Sequence, residues 1–163
     1  MKETTLREKT CFFSGHRDIP REDYPAVQSR LSAAVERLIT EEGVQYFASG
    51  GALGFDTIAA LTVLKLKRRY PQIRLVLIFP CKNQGFSWQE EDKELLEKIM
   101  ERADKVIYAT EKYQSSCVNK RNRLMAEGSG WAICYQTRPT GGTAYTINYA
   151  KSIGVNIINL AEQ

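Results

Sequence analysis

Apolar positions along this chain fall into two alternating patterns. The first is a set of short, nearly continuous runs: Thr10 to Ser14 (TCFFS), Val44 to Ala48, Ile73 to Phe79 (IRLVLIF), a weaker one from Lys105 to Ala109, Trp131 to Gln136, and Val155 to Leu160. Runs this short read as strands, and the nearly continuous one from Ile73 to Phe79 is typical of a strand covered on both faces. The second pattern has apolar residues recurring every three or four positions. Val27, Leu31, Ala34, Val35, Leu38 and Ile39 mark a helix from Tyr24 to Glu42, stopped by Gly43. A second helix is expected from Gly54 to Tyr70, with Lys65, Lys67, Arg68 and Arg69 at its favourable C-terminal end and Pro71 after it. Ser87-Trp88-Gln89-Glu90 reads as a capping box, and Glu91 and Asp92 add charge suited to a helix start. That helix runs to about Arg102. Two more cover Ser116 to Glu127 and Gly142 to Ser152, followed by Gly128 and Gly154.

Six strands alternating with five helices predict an α/β, Rossmann-like doubly wound fold. Its mainly parallel sheet has about six strands, with helices on both faces. Right-handed crossovers bring every strand's C-terminal end to one rim, where ligands of such folds bind. With 163 residues and no internal repeat, linker or low-complexity segment, the chain reads as a single domain, 1–163.

Composition narrows the chemistry. Hydrophobic residues make up 43% and charged residues 26%, ordinary for a soluble domain that can bury a core without metal or disulfides. Cys11, Cys81, Cys117 and Cys134 form no C-x-x-C pair, and His16 is the only histidine, so no metal site is expected. Cys11 and Cys134 sit in strand-like runs, which suits buried thiols and a reducing, cytoplasmic setting. The polar start, Met1 to Glu8, has no signal-peptide core, and no apolar run approaches a membrane span. The net charge of +4 favours an anionic partner but is too small to argue for nucleic acid.

The segments that follow the strands hold the chemistry. After the first strand stand Gly15, His16 and Arg17. After the second comes the turn Ser49-Gly50-Gly51-Ala52-Leu53-Gly54-Phe55-Asp56. Pro80, Cys81, Gln84 and Trp88 follow the third. A second glycine turn, Arg138-Pro139-Thr140-Gly141-Gly142-Thr143, follows the fifth. Glycine at such a turn lets the backbone approach a ligand, and the N–H groups of the next helix face an anion. The first turn is not a Walker loop, since no Gly-Lys-Ser/Thr ends it. Ser49 replaces the first glycine of G-x-G-x-x-G, and no acid stands after the third strand to hold a ribose, which argues against a nicotinamide or flavin dinucleotide site. No cofactor is implied.

Each feature has a structural alternative beside the functional one. The first turn is either a tight strand-to-helix connection or one wall of a ligand site formed by Gly50, Gly51 and Gly54. Asp56 either complements the helix dipole or binds sugar hydroxyls and acts as a base. Gly141, Gly142 and Thr143 either pack helix on strand, with Thr140 as N-cap, or hold a phosphate to which Arg138 or Arg17 adds charge. Trp88 either packs or stacks on a base. Asn119, Asn122 and Arg123 share one helix face and can meet a phosphate or ribose if that helix starts at the rim.

Together these residues resemble the SLOG superfamily, the Rossmann-like group that includes DprA, the LOG phosphoribohydrolases and YpsA-like proteins, and within it the small YpsA-like bacterial branch. The resemblance runs through Ser14-Gly15-His16-Arg17, Ser49 to Asp56, Phe79-Pro80-Cys81 with Gln84, Trp88 and Asp92, the Asn119 to Met125 stretch, and Gly141-Gly142-Thr143. It implies a nucleotide or nucleotide-derived ligand, held by Gly15, Arg17, Gly50, Gly51, Gly54, Asp56, Gly141, Gly142 and Thr143. LOG enzymes, which cleave the N-glycosidic bond of a nucleoside monophosphate, carry P-G-G-x-G-T-x-x-E. Here Pro139-Thr140-Gly141-Gly142-Thr143-Ala144-Tyr145-Thr146 lacks that glutamate.

The leading expectation is binding of a nucleotide-like small molecule at the rim, as in a sensor. One alternative is N-glycosidic hydrolysis with Asp56 as the catalytic carboxylate. Another is single-stranded DNA binding, which needs a basic track with stacking aromatics that the acidic stretch at 90–92 interrupts. Tyrosines and tryptophans at the surface would allow a homo-oligomer without requiring one.

Overall fold

The computed structural model describes residues 5–82, 85, 87–111 and 115–162. Six strands, β1 (Thr10–Gly15), β2 (Tyr46–Ser49), β3 (Arg74–Phe79), β4 (Lys105–Tyr108), β5 (Trp131–Tyr135) and β6 (Asn156–Asn159), form one sheet in the order β4-β3-β2-β1-β5-β6. Every neighbouring pair is parallel, with Cys11 opposite both Phe47 and Trp131, and Phe47 opposite Leu75. The helices are α1 (Tyr24–Glu42), α2 (Phe55–Leu66), α3 (Glu90–Arg102), α4 (Cys117–Glu127) and α5 (Gly142–Ser152).

The two-residue period of the strands divides the core. Cys11, Phe13, Phe47, Leu75, Leu77 and Ile133 point to the face covered by α1, α2 and α3. Phe12, Ala48, Ile78, Ala132 and Cys134 point to the other, where Met125 and Ala126 of α4 and Ile147 and Ala150 of α5 meet them. This is why β1, β3 and β5 read as continuous apolar runs: each is packed on both faces. Three helices serve one face and two the other, so Val76 and Ile107, at the margin of the second cluster, are only half-buried.

Two predicted helix ends shift. The regular part of α2 stops at Leu66, and the basic segment after it continues as hydrogen-bonded turns, with Arg69 and Tyr70 N–H both donating to Leu66 O. Pro71 holds the residue before it out of helical geometry. The capping-box reading at Ser87 does not hold. Here α3 begins at Glu90, its N-cap is Gln89 in extended conformation, and no side chain caps it. Glu90, Glu91 and Asp92 in the first turn supply the negative charge that the dipole favours. By contrast α1 ends as expected, with Gly43 left-handed at φ 69° and its N–H bonded to Leu38 O.

The strand order sets the place of the site. From β1 the chain builds outward through β2 and β3 to β4, then returns across the sheet to place β5 on the other side of β1. The loops leaving β1 and β5 therefore diverge to opposite faces, and a crevice opens between them at the C-terminal rim.

Candidate functional site

A cavity of about 540 Å³ occupies that crevice. The end of β1 and the loop after it, Phe13 to Asp18, form one side. Ala52 and Asp56 of the first glycine turn, and Val118, Arg121, Asn122 and Met125 of α4, form its floor and back. Arg138 and Thr140 to Thr143, with Thr146 of α5, close the other side. The crossover thus brings both glycine turns to one space, 88 residues apart in sequence when counted from Gly54 to Gly142.

The first turn is filled by its own groups. Ser49 Oγ donates to Asp56 O at 2.9 Å and accepts from Gly51 N–H at 3.3 Å. Ala52 N–H donates to Asp56 Oδ2 at 3.3 Å, and Thr57 Oγ1 donates to Ala52 O at 2.8 Å. The glycines here make room for side chains. A Cβ on Gly51 would run into the Phe79 ring, and one on Gly15 into Phe55. At Gly54 it would stand 2.5 Å from Arg17 O and 2.6 Å from Arg17 Cα. Gly54 also sits at φ 81°, ψ −124°, which L side chains rarely adopt. At Gly50 a Cβ would meet Arg121 Nη1 and lie 2.9 Å from Asp56 Oδ2, so carboxylate and guanidinium converge there.

Both charges are buried, Asp56 at 8% exposure and Arg121 at 5%. Arg121 Nη1 donates to Gly50 O at 2.8 Å and to Ile78 O at 3.3 Å, and Nε donates to Asn122 Oδ1 at 2.8 Å. One side chain therefore ties α4 to the first turn and to β3. Burial pushes the Asp56 carboxyl up to about 6, an effect the Arg121 charge, the Ala52 N–H and Arg17 only partly offset. Burial likewise lowers the Arg121 guanidinium, with Asp56 acting against it. At neutral pH Asp56 is mostly ionised yet close to its midpoint, which suits a group that exchanges a proton or accepts hydroxyl hydrogen bonds.

The second turn differs. Nothing lies within 4 Å of a Cβ built on Gly141 or Gly142. Gly141 is the N-cap of α5 at φ 104°, ψ −175°, with no side-chain cap, so Thr140 does not serve as N-cap. Helical geometry gives the first N–H groups of α5 no acceptor within the helix, and the dipole favours an anion there. The two arms of the crevice are latched to each other. His16 Nε2 accepts from Thr137 N–H at 3.0 Å, and Arg138 Nη2 donates to Asp18 Oδ1 at 3.2 Å. Burial and the nearby Arg138 charge lower the His16 pKa, in keeping with a neutral ring whose Nε2 is an acceptor.

Of the residues singled out in the sequence, Gly15, Arg17, Asp56, Arg138, Gly141, Gly142 and Thr143 line the cavity. Gly50, Gly51 and Gly54 lie behind it as packing positions. Asn119 and Arg123 are exposed and do not line it; Arg123 Nη2 donates to Tyr145 OH at 3.0 Å and its guanidinium lies 5.8 Å from the Tyr149 ring centre. Asn122, expected on one helix face with them, does line the cavity, beside Val118, Arg121 and Met125. The sequence held a signal for this: Cys117, Arg121 and Met125 recur at four-residue spacing, which places Arg121 in the apolar stripe. Gln84 lies outside the described residues. Among the described residues no cluster of His, Cys, Asp and Glu side chains could hold a metal ion, and no helix is long and apolar enough to cross a membrane.

Comparison with known proteins follows the same geometry. A family model described as the YspA SLOG family (YpsA) matches residues 16–156. The SPbeta prophage-derived protein YoqJ of Bacillus subtilis is 31% identical over 137 residues, covering 77% of this chain and 80% of its own length. A UPF0398 protein of Bacillus pumilus is 31% identical over 137 residues, covering 81% of this chain and 74% of its own. Among solved structures, DprA of Streptococcus pneumoniae superposes with a TM-score of 0.68 over 93% of this chain at 18% identity, and the chain spans half of that protein's length. DprA of Helicobacter pylori, a structure described for its unique single-stranded DNA binding mode, gives a TM-score of 0.66 over 95% of this chain and 67% of its own length at 20% identity. Those two likenesses establish the fold, with its sheet and rim.

Proposed function

The chain belongs to the YspA SLOG family, and we propose that its rim cavity binds a nucleotide or nucleotide-derived ligand. The observation that carries this reading is the open N-terminus of α5. Gly141 is required by its φ of 104°, but Gly142 has neither a packing neighbour nor a positive φ to explain it, and both border the same cavity as Arg17 and Arg138. A phosphate on the first N–H groups of α5 would meet helix dipole, backbone donors and two guanidinium groups together. Asp56, which lines the same cavity, would accept hydrogen bonds from sugar hydroxyls. Binding without turnover, as in a sensor, needs nothing more.

A second reading is favoured by Asp56 itself. A cavity-lining carboxyl raised to about 6 by burial suits hydrolysis of an N-glycosidic bond. In that reaction water adds to the anomeric carbon as the bond to the base breaks, and the base leaves with a proton. A carboxylate beside the ring stabilises the oxocarbenium-like transition state.

Calorimetry with a panel of nucleoside monophosphates, and chromatography of the same mixtures for free base, separate the readings. Saturable binding with no base released supports the sensor. Base release abolished by Asp56→Ala supports the hydrolase. Salt-sensitive binding of single-stranded oligonucleotides without any mononucleotide binding overturns both and moves the chain toward what is described for the Helicobacter DprA.

A further inference from the structure

The first glycine turn has two sides. Ala52 and Asp56 face the rim cavity, whereas Leu53, Gly54 and Thr57 line a second cavity of about 350 Å³ on the face covered by α1, α2 and α3. Arg17 lines both cavities, so one residue borders the two. The backbone at this divide is fixed. Gly54 lies against Arg17 with no space for a Cβ, and Phe55 N–H donates to His16 O at 3.1 Å. The second cavity is unlike the first in chemistry. Tyr24 and Trp88 supply aromatic surface, Leu95 and Leu96 aliphatic surface, and Gln28 and Asp92 polar groups. Trp88 is half-buried, and its six-membered ring lies against Gly85, where a Cβ would come 3.1 Å from Cε3.

We propose that this second cavity is a subsite for the planar heteroaromatic ring of the ligand whose phosphate rests at α5, with Arg17 bordering both parts of the site. The inference rests on the phosphate reading of the rim cavity. Indole and phenol rings offer stacking surface to a flat ring, and a half-buried carboxylate and an amide offer partners to its ring N–H and exocyclic groups. The rim cavity, with its backbone donors and arginines, offers little of this kind. A ligand with a charged end and a flat end fits the pair of cavities better than it fits either.

The chain has two tryptophans, and Trp131 starts β5 at the opposite end of the sheet from the rim. In a Trp131→Phe background, fluorescence therefore reports on Trp88. Nucleoside monophosphates are expected to quench it and ribose 5-phosphate is not. By calorimetry, Trp88→Ala is expected to weaken the nucleoside monophosphates about tenfold and to leave ribose 5-phosphate unchanged, while Trp88→Phe retains most of the affinity. Equal loss for both ligands, or no loss for either, overturns the subsite. If no phosphate compound binds the wild-type chain, the rim reading fails on its own. Nucleosides at millimolar concentration then decide the subsite: quenching of Trp88 upholds it, and its absence overturns it.

Discussion

The two glycine-rich turns look alike in sequence and differ in the folded chain. In the first, 49–56, each glycine stands where a methyl group would strike something: the Phe79 ring, the Arg17 backbone, or the converging Asp56 and Arg121. In the second, 138–143, Gly141 and Gly142 face open space. One turn is a packed partition between two cavities, and the other is an uncovered helix start. A glycine needed for packing is explained by its neighbours. Gly141 is explained by its φ of 104°, whereas Gly142, with neither a neighbour nor a positive φ, needs another explanation, and an anion close to the backbone is one.

The comparison breaks first on stability. Gly54→Ala forces a Cβ into the Arg17 backbone at a φ of 81°. It is expected to cost about 3 kcal/mol or more, enough to unfold a marginal domain. Gly142→Ala meets nothing and is expected to be neutral or to stabilise by up to about 1 kcal/mol through the unfolded chain. Urea denaturation of the two variants measures the contrast; equal midpoints would erase the distinction between the turns.

A second test lies within the first turn and concerns pH. The folded state holds the Asp56 proton to about pH 6, above the ordinary 3.8 of the side chain. The folded chain thus binds more protons than the unfolded chain in this window, so the Asp56 contribution to stability falls as pH rises from about 4 to 6. A shift of this size corresponds to roughly 3 kcal/mol between the two limits. His16 works in the opposite sense: its lowered pKa makes stability fall as pH drops below its ordinary value of 6.5. Asp56→Asn is expected to remove the decline between pH 4 and 6 and leave the histidine's effect in place. A wild-type curve whose slope in that window survives the substitution would show that Asp56 titrates normally.

What the sequence made legible follows this division. The strands could be read because most have apolar residues on both faces, as Phe12 and Phe13 of β1 do. The rim could be read because parallel strands with right-handed crossovers leave no other place for the loops. The roles of the glycines could not, because Gly51 and Gly142 differ in backbone φ and in whether Phe79 or open space lies beside them, and both are facts of the folded chain. The inward face of α4 was only partly legible, for a related reason: Asn122 lies on it, but its two expected companions do not. Asn119 and Arg123 look like ligand groups by polarity, while Arg121, flanked by Cys117 and Met125, is the one that burial selects.

The third test sets stability and binding against each other at the open turn. Asp at the first position of α5 complements the helix dipole and meets no neighbour. Gly142→Asp is therefore expected to leave the urea midpoint unchanged or slightly raised. Its carboxylate would occupy the place of the phosphate, so nucleotide affinity is expected to fall at least about tenfold, in the range typical of like charges brought together at a binding surface. Loss of binding together with loss of stability would return this turn to the structural class of the first.

The smallest effect concerns the latch. Asp18 is an exposed carboxylate whose partner, Arg138, is also one of the two arginines of the rim cavity at the proposed phosphate site. Exposed pairs of this kind contribute little to folding. The Asp18–Arg138 pair nevertheless occupies a charge that an incoming phosphate would use, and the ligand must compete with the carboxylate for it. Asp18→Asn is expected to leave the denaturation midpoint where it is and to tighten nucleotide binding by up to about fivefold, an effect that fades with added salt. The same substitution in an Arg138→Ala background is expected to change nothing, since the competition runs through that guanidinium. Tightening that persists without Arg138 would mean that Asp18 acts through the overall field of the rim, and the second turn would then bind its anion through backbone and dipole alone.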